Sequence, residues 1–271
     1  RISLAGSNGM IDLTALATDS LSAPSTWAKK LYTKLKDDRF FEVNSKIRSD
    51  GQPDSTLMKT LFILFDSLNR SALGAYGGHI PTPNFDRLAS RSAVFENHYA
   101  GSLPCMPARR DMQTGRLNFL HRSWGPLEPF DDSFAAQLKS SGTYCHLVSD
   151  HYHYFEDGGA TYHTRYSSWD FIRGQESDPW AAMVQPPIDR FRQQYHPLQF
   201  EDHRNGHRLQ GMINRTRVKD EADFPVVKCV DSALQFMTEN AGADGWMLQM
   251  ETFDPHAVSY THLRAHETSI D

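Results

Sequence analysis

No apolar run in the sequence approaches the ~20 residues that a membrane-spanning helix needs. The amino-terminal stretch RISLAGSNGMIDLTALATDSL lacks a basic region followed by a long apolar segment, so no secretory leader is expected there. Cysteine is scarce. Cys105, Cys145 and Cys229 are too few and too scattered for a disulfide framework, and they fit a reducing, cytoplasmic setting. No sign of charge dominates either: the net charge is −5, which gives no reason to expect nucleic acid or an anionic membrane as partner. What is present is 271 residues, 39% of them hydrophobic, enough to bury the core of one large domain or two small ones. Histidine is plentiful, at thirteen residues, with a cluster between His146 and His163.

Residues 1–57 are polar and carry no evident chemistry. They hold one helical-looking piece, STWAKKLYTKLKDDRFF, and the turn-rich RSDGQPDST, and read as an amino-terminal extension or upstream translation. Met58 opens MKTLFILFDSLNR, in which TLFILF (60–65) is a continuous apolar run ending at Asp66. Such a run predicts a buried parallel strand, with the carboxylate at the end where open α/β sheets bind ligands. TPNFDRLASRS predicts a helix with Thr82 as cap and Pro83 in its first turn. AVFENHYA (93–100) predicts a strand, SFAAQLKSSG a helix closed by Gly142, and TYCHLVSD another strand. FPVVKCVDSALQFMTENAG predicts a longer helix, and GWMLQMETFDPH a strand running into Asp254 and His256. Alternating strands and helices predict an α/β domain with a mostly parallel sheet. Residues 172–224, rich in Gln, Arg, His and Asp, are expected to form a surface excursion.

The most informative stretch is CMPARRDMQTGR (105–116). Pro107 suits the first turn of a helix that begins near Cys105. That start places residue 105 at a positive helix end that favours an anion, with Arg109 one turn on along the same face. Cys105, Pro107, Arg109, Thr114 and Gly115 together reproduce the pattern C-x-P-x-R-x-x-x-x-T-G, which resembles the signature of the sulfatases. The preceding YGGHIPTPNFDRLASRSAVFENHYAGSLP resembles the segment before that signature, and the likeness covers residues 58–256.

The resemblance implies an alkaline-phosphatase-like α/β fold and hydrolysis of sulfate esters. It implies that a formylglycine-generating maturation enzyme oxidises Cys105 to an aldehyde, whose hydrate has one hydroxyl to attack sulfur and another to expel the product. It implies a divalent cation, Ca²⁺ or Mg²⁺, held by Asp66 and by residue 105, and a catalytic role for Arg109. Many members carry two adjacent aspartates where this chain has Asp66-Ser67. VSDHYHYFEDGG (148–159) lies where the family carries G-K-W-H, which sets His151 at the lysine position as a substrate-binding group and His153 on the catalytic histidine. An extended segment would point both to one side, with Tyr152 opposite. A His-x-His pair is also a fair Zn²⁺ clamp. His256 in ETFDPH resembles a later family histidine that protonates the departing alcohol oxygen or holds the sulfate.

The family's second cluster of metal ligands and a further lysine have no equivalent before residue 257. VSYTHLRAHET (258–268) resembles a translated transposase-end adapter from sequencing libraries, so residues 257–271 are expected to be an artefactual tail whose His262 and His266 are set aside. The expectation is thus the amino-terminal part of a sulfatase, inactive as it stands. Its substrates would be small-molecule or glycan sulfate esters. Two alternatives stand beside it: a phosphonate or phosphodiester hydrolase of the same superfamily, and a non-catalytic metal-binding protein in which Cys105 stays a thiol.

Overall fold

The computed structural model describes residues 2–6, 9–12, 58–157, 159, 161–200 and 205–256. The helix expected in 25–41 and the tail 257–271 lie outside them. Six strands form one sheet: β1 (Ile2–Gly6), β2 (Gly9–Asp12), β3 (Lys59–Phe65), β4 (Tyr144–Ser149), β5 (Ser168–Phe171) and β6 (Trp246–Thr252). Their order is β2-β1-β3-β6-β4-β5, and every pairing is parallel except β1 with β2. The apolar runs behave as expected. β6 is buried along its whole length, because it sits between β3 and β4 and is covered on both faces.

The helices are α1 (Pro83–Ala89), α2 (Cys105–Thr114), α3 (Phe134–Ser140), α4 (Ile188–Gln194), α5 (Asn205–Arg215) and α6 (Pro225–Glu239). α6 lays Cys229, Val230, Ala233, Leu234 and Met237 against Leu61, Ile63, Leu248 and Met250 of the sheet. Each such side chain, fully buried, contributes roughly 1.5–3 kcal/mol for the larger ones. A second cluster joins Met106 of α2 and Ala135 of α3 to Cys145, Leu147, Met247 and the tyrosines Tyr154, Tyr162 and Tyr166.

Four local expectations are corrected. Residues 93–100 form no strand: only Val94 makes a bridge, and the segment is largely exposed, Phe95 included. Thr82 stands at the start of α1 but caps nothing there; its Oγ1 accepts from the backbone N–H of Gly74 at 2.9 Å instead. Residues 172–224 are more than an excursion, since α4 and α5 bury Ala181, Phe191, Met212 and Ile213 as a small core of their own. Their Gln- and Arg-rich faces hid that narrow apolar stripe. Lastly, ISLAG near the amino terminus is a strand lying parallel to β3, a role set by an available sheet edge rather than by its own short pattern.

Candidate active site

The site gathers at the carboxyl ends of β3, β6 and β4, where a parallel sheet leaves its ligand crevice. Asp66 follows β3 directly. Its backbone N–H donates to the carbonyl of Thr252, which ties the ends of β3 and β6 together at 2.9 Å. Ser67 adopts a positive φ of 54° and donates through Oγ to Asp66 Oδ1 at 2.6 Å. The Ser67 hydroxyl thus holds the carboxylate that precedes it.

α2 starts at Cys105, as the position of Pro107 predicts, and ends at Gly115, whose φ of 67° gives the left-handed cap. The Thr-Gly of the motif closes this helix: Gly115 N–H donates to the Asp111 carbonyl at 2.7 Å, and Thr114 Oγ1 donates to the Arg110 carbonyl at 2.7 Å. Arg110 anchors the outer side of the same helix through a two-armed pair with the buried carboxylate of Asp131, at 2.7 and 2.8 Å.

Arg109, buried one turn past Cys105, donates from one guanidinium arm to Asp66 Oδ2 and from Nε to Glu251 Oε1, both at 2.8 Å. Burial opposes its charge, but Glu251 and then Asp66 outweigh that and hold its pKa above the usual arginine range. Burial likewise works against the Asp66 carboxylate, and His151, Arg109 and Ser67 outweigh it, leaving the group well below the usual carboxylate range. Burial first, and the Asp66 charge second, push the Cys105 thiol up to about 12. The encoded cysteine is therefore protonated at neutral pH.

His151 is completely buried. Its Nε2 stands 3.3 Å from Asp66 Oδ2 without a well-directed bond, and neither ring nitrogen has a hydrogen-bond partner. Ligand atoms of Asp66, Cys105 and His151 all lie within 4.8 Å of one another. The grouping sets His151, expected as a substrate-binding residue, beside Asp66 and Cys105.

The segment beyond it is a short 3₁₀ turn, Tyr152–Tyr154, rather than an extended run. The His151 and His153 rings are still neighbours, at 5.3 Å between centroids, because a turn of three residues per revolution also returns nearby side chains to one region. Tyr152 packs on His153 at 4.1 Å rather than opposite it. His153 Nδ1 pairs with Glu156 at 2.5 Å, and Trp124 meets its ring edge-on at 4.8 Å. Burial, then His151, lowers its pKa to about 3. His256 packs on Phe253 at 4.5 Å, and burial lowers its pKa as well. Both imidazoles are neutral at pH 7.

Two residues of the site were not foreseen. Glu251 is fully buried and receives Arg109 on one oxygen and Tyr154 Oη on the other at 2.8 Å. Gln249 donates to the same Glu251 oxygen at 3.1 Å and accepts from Tyr166 Oη at 2.5 Å. A Gln and a Glu in an apolar, wholly buried strand were the available signal, since buried polar groups need partners.

As encoded, the donor set of thiol, imidazole and one carboxylate does not match Ca²⁺, which takes six to eight oxygens. Oxygen in place of sulfur at residue 105 narrows that gap without closing it.

Parts of this chain are similar to known proteins. The mouse (Mus musculus) iduronate 2-sulfatase is 32% identical over 94 residues, 34% of this chain and 16% of that protein. The human (Homo sapiens) iduronate 2-sulfatase is 41% identical over 71 residues, 25% of this chain and 13% of that protein. Human N-acetylgalactosamine-6-sulfatase is 40% identical over 58 residues, 21% of this chain and 11% of that protein. The matched segments thus span no more than about a sixth of these relatives' length. The family model described as Sulfatase matches residues 59–262, about three quarters of the chain, and the chain belongs to the sulfatase family.

Proposed function

We propose that the protein to which this chain belongs hydrolyses sulfuric esters, with residue 105 as the reacting group after its oxidation to formylglycine. One observation carries the reading: Cys105 opens a ten-residue helix whose Arg109 reaches back to Asp66 at the ligand end of the sheet. The hydrated aldehyde supplies a hydroxyl nucleophile and a second hydroxyl through which the product can leave. Asp66 is the residue in this chain suited to a hard cation, which would need more oxygen ligands than the described residues gather there.

The remaining roles belong to the protein's own side chains. Free N–H groups in the first turn of α2 attract the ester's anionic end. Arg109, pinned by two carboxylates, presents a fixed positive charge to an oxyanion at residue 105 and pays no reorganisation cost at the moment of reaction. His153 and His256 are half-buried and neutral: His256 can donate one N–H to a sulfate oxygen, while His153, its Nδ1–H engaged by Glu156, offers Nε2 as an acceptor. An anion bound beside them raises their basicity, which suits His256 for protonating the departing alcohol. The relatives' names denote sulfated sugar units, which favours a sulfated glycan or sugar as substrate. The maturation enzyme is implied by the cysteine itself.

The decisive assay uses the native gene product, read through past His256 and co-expressed with a formylglycine-generating enzyme. Hydrolysis of a sulfate ester is compared with that of a phosphate diester of the same alcohol. Preferred cleavage of the sulfate supports the reading; dominant diester cleavage moves the protein to the phosphonate and phosphodiester branch.

A further inference from the structure

We propose that, while residue 105 is still the encoded cysteine, Asp66, Cys105 and His151 form a binding site for a thiophilic divalent cation of the Zn²⁺ type. The chemical state of residue 105 then selects the metal. The inference concerns the thiol form and does not depend on the hydrolytic reading.

Donor chemistry comes first. The three ligand atoms, an oxygen, a sulfur and a nitrogen, lie within 4.8 Å of one another. Mixed Cys, His and carboxylate sets suit Zn²⁺ and its neighbours, whereas Ca²⁺ and Mg²⁺ prefer oxygen alone. Three protein donors are the count of an open zinc site, whose fourth position takes solvent, rather than of a closed structural one.

The second observation is independent. His151 is fully buried, yet neither of its ring nitrogens has a hydrogen-bond partner. Leaving a buried imidazole unsatisfied costs on the order of 1–3 kcal/mol unless something occupies it. Its Nε2 is 3.3 Å from Asp66 Oδ2, too poorly aligned for a bond. Bonds of about 2.0–2.1 Å arranged tetrahedrally put two ligands about 3.3 Å apart. A small cation touching both atoms would account for the spacing and for the orphaned nitrogen.

Charge closes the argument. The Asp66 carboxylate and a Cys105 thiolate together balance a divalent cation, while the adjacent guanidinium of Arg109 is matched by Glu251. When oxidation replaces sulfur with oxygen, the soft donor disappears and the preference for Zn²⁺ weakens with it.

The test is a titration of the reduced, metal-stripped full chain with Co²⁺, whose thiolate complexes absorb by charge transfer in the near ultraviolet. A band saturating at one equivalent is expected. It should be lost in C105S, kept in C145S/C229S, weakened on the order of tenfold or more in H151A, displaced by stoichiometric Zn²⁺, and unmoved by a large excess of Ca²⁺. No band, a band that survives C105S, or displacement by Ca²⁺ would overturn the proposal. Should either site variant fail to fold, the unsubstituted chain still decides. Zn²⁺ must slow alkylation of Cys105, read by peptide mass spectrometry, and an unchanged rate would contradict the site.

Discussion

Arg109 Nε donates to Glu251 Oε1 at 2.8 Å across 142 positions of sequence, joining the helix that begins at Cys105 to the central strand of the sheet. The other arm of the guanidinium holds Asp66, so one buried cation fixes two carboxylates and is fixed by them. Glu251 is in turn locked by Tyr154 and Gln249, and Gln249 by Tyr166. Gln113 of α2 donates to Tyr166 Oη at 2.7 Å, which returns the chain of bonds to the helix it started from. The pose of Arg109 is therefore set from behind, by groups beyond the reach of a substrate.

Removing Glu251 leaves a buried guanidinium half-compensated. E251A is expected to lower stability by roughly 3–5 kcal/mol, the usual consequence of breaking a buried pair from one side. E251Q keeps an acceptor oxygen and should lose less, about 1.5–3 kcal/mol. Urea unfolding followed by tryptophan fluorescence measures both. A loss within about 0.5 kcal/mol for E251A, the scale of a neutral surface change, would contradict the network.

Asp150 provides a pH signature. It is fully buried; Oδ1 accepts from Phe253 N–H at 2.7 Å, while Oδ2 has no partner. Burial, with smaller contributions from Asp254 and Glu251, raises its pKa well above 3.8, which leaves the carboxyl neutral rather than a buried anion with one oxygen unpartnered. The native state keeps this proton above pH 3.8 while the unfolded chain releases it, so the native state binds more protons. The contribution of Asp150 to stability thus falls as pH rises from 3.8 towards the raised native value. D150N, which cannot ionise, should remove that decline: its melting temperature relative to the parent rises between pH 5 and pH 8. A difference that is flat or falls with pH would mean that Asp150 is ionised in the fold.

Gly115 tests why the motif ends as it does. A Cβ added there meets nothing within 4 Å, so the only penalty is the backbone conformation at a φ of 67°. G115A should therefore cost about 1 kcal/mol through strain at the end of α2. A thermal-melt difference near zero would show that the glycine is not needed for that cap.

Much of this was legible in the residues, for identifiable reasons. β3, β4 and β6 announced themselves as apolar runs because strands covered on both faces have no polar side to show. Cys105, Pro107, Arg109 and Gly115 were readable because a helix start, a turn of helix and a left-handed cap each impose a residue type at a fixed spacing. The role of Glu251 was not readable, since its partner lies 142 residues away and pairing at that distance leaves no local pattern. The backbone around His151 and His153 was not readable for a related reason. Alternation assumed an extended chain, and the 3₁₀ turn after Asp150 re-aimed the side chains. The strand expected at 93–100 shrank to a single bridge residue, Val94, because strand propensity needs a neighbouring edge to pair along.

The central claim is that residue 105 is the reacting group. The most direct measurement is the mass of the tryptic peptide spanning Cys105 from the native gene product, co-expressed with a formylglycine-generating enzyme. The account predicts the mass of the aldehyde and its hydrate at residue 105, with Cys145 and Cys229 unmodified. An intact thiol at Cys105 in folded protein would contradict it, and would leave a metal-binding protein that keeps its cysteine.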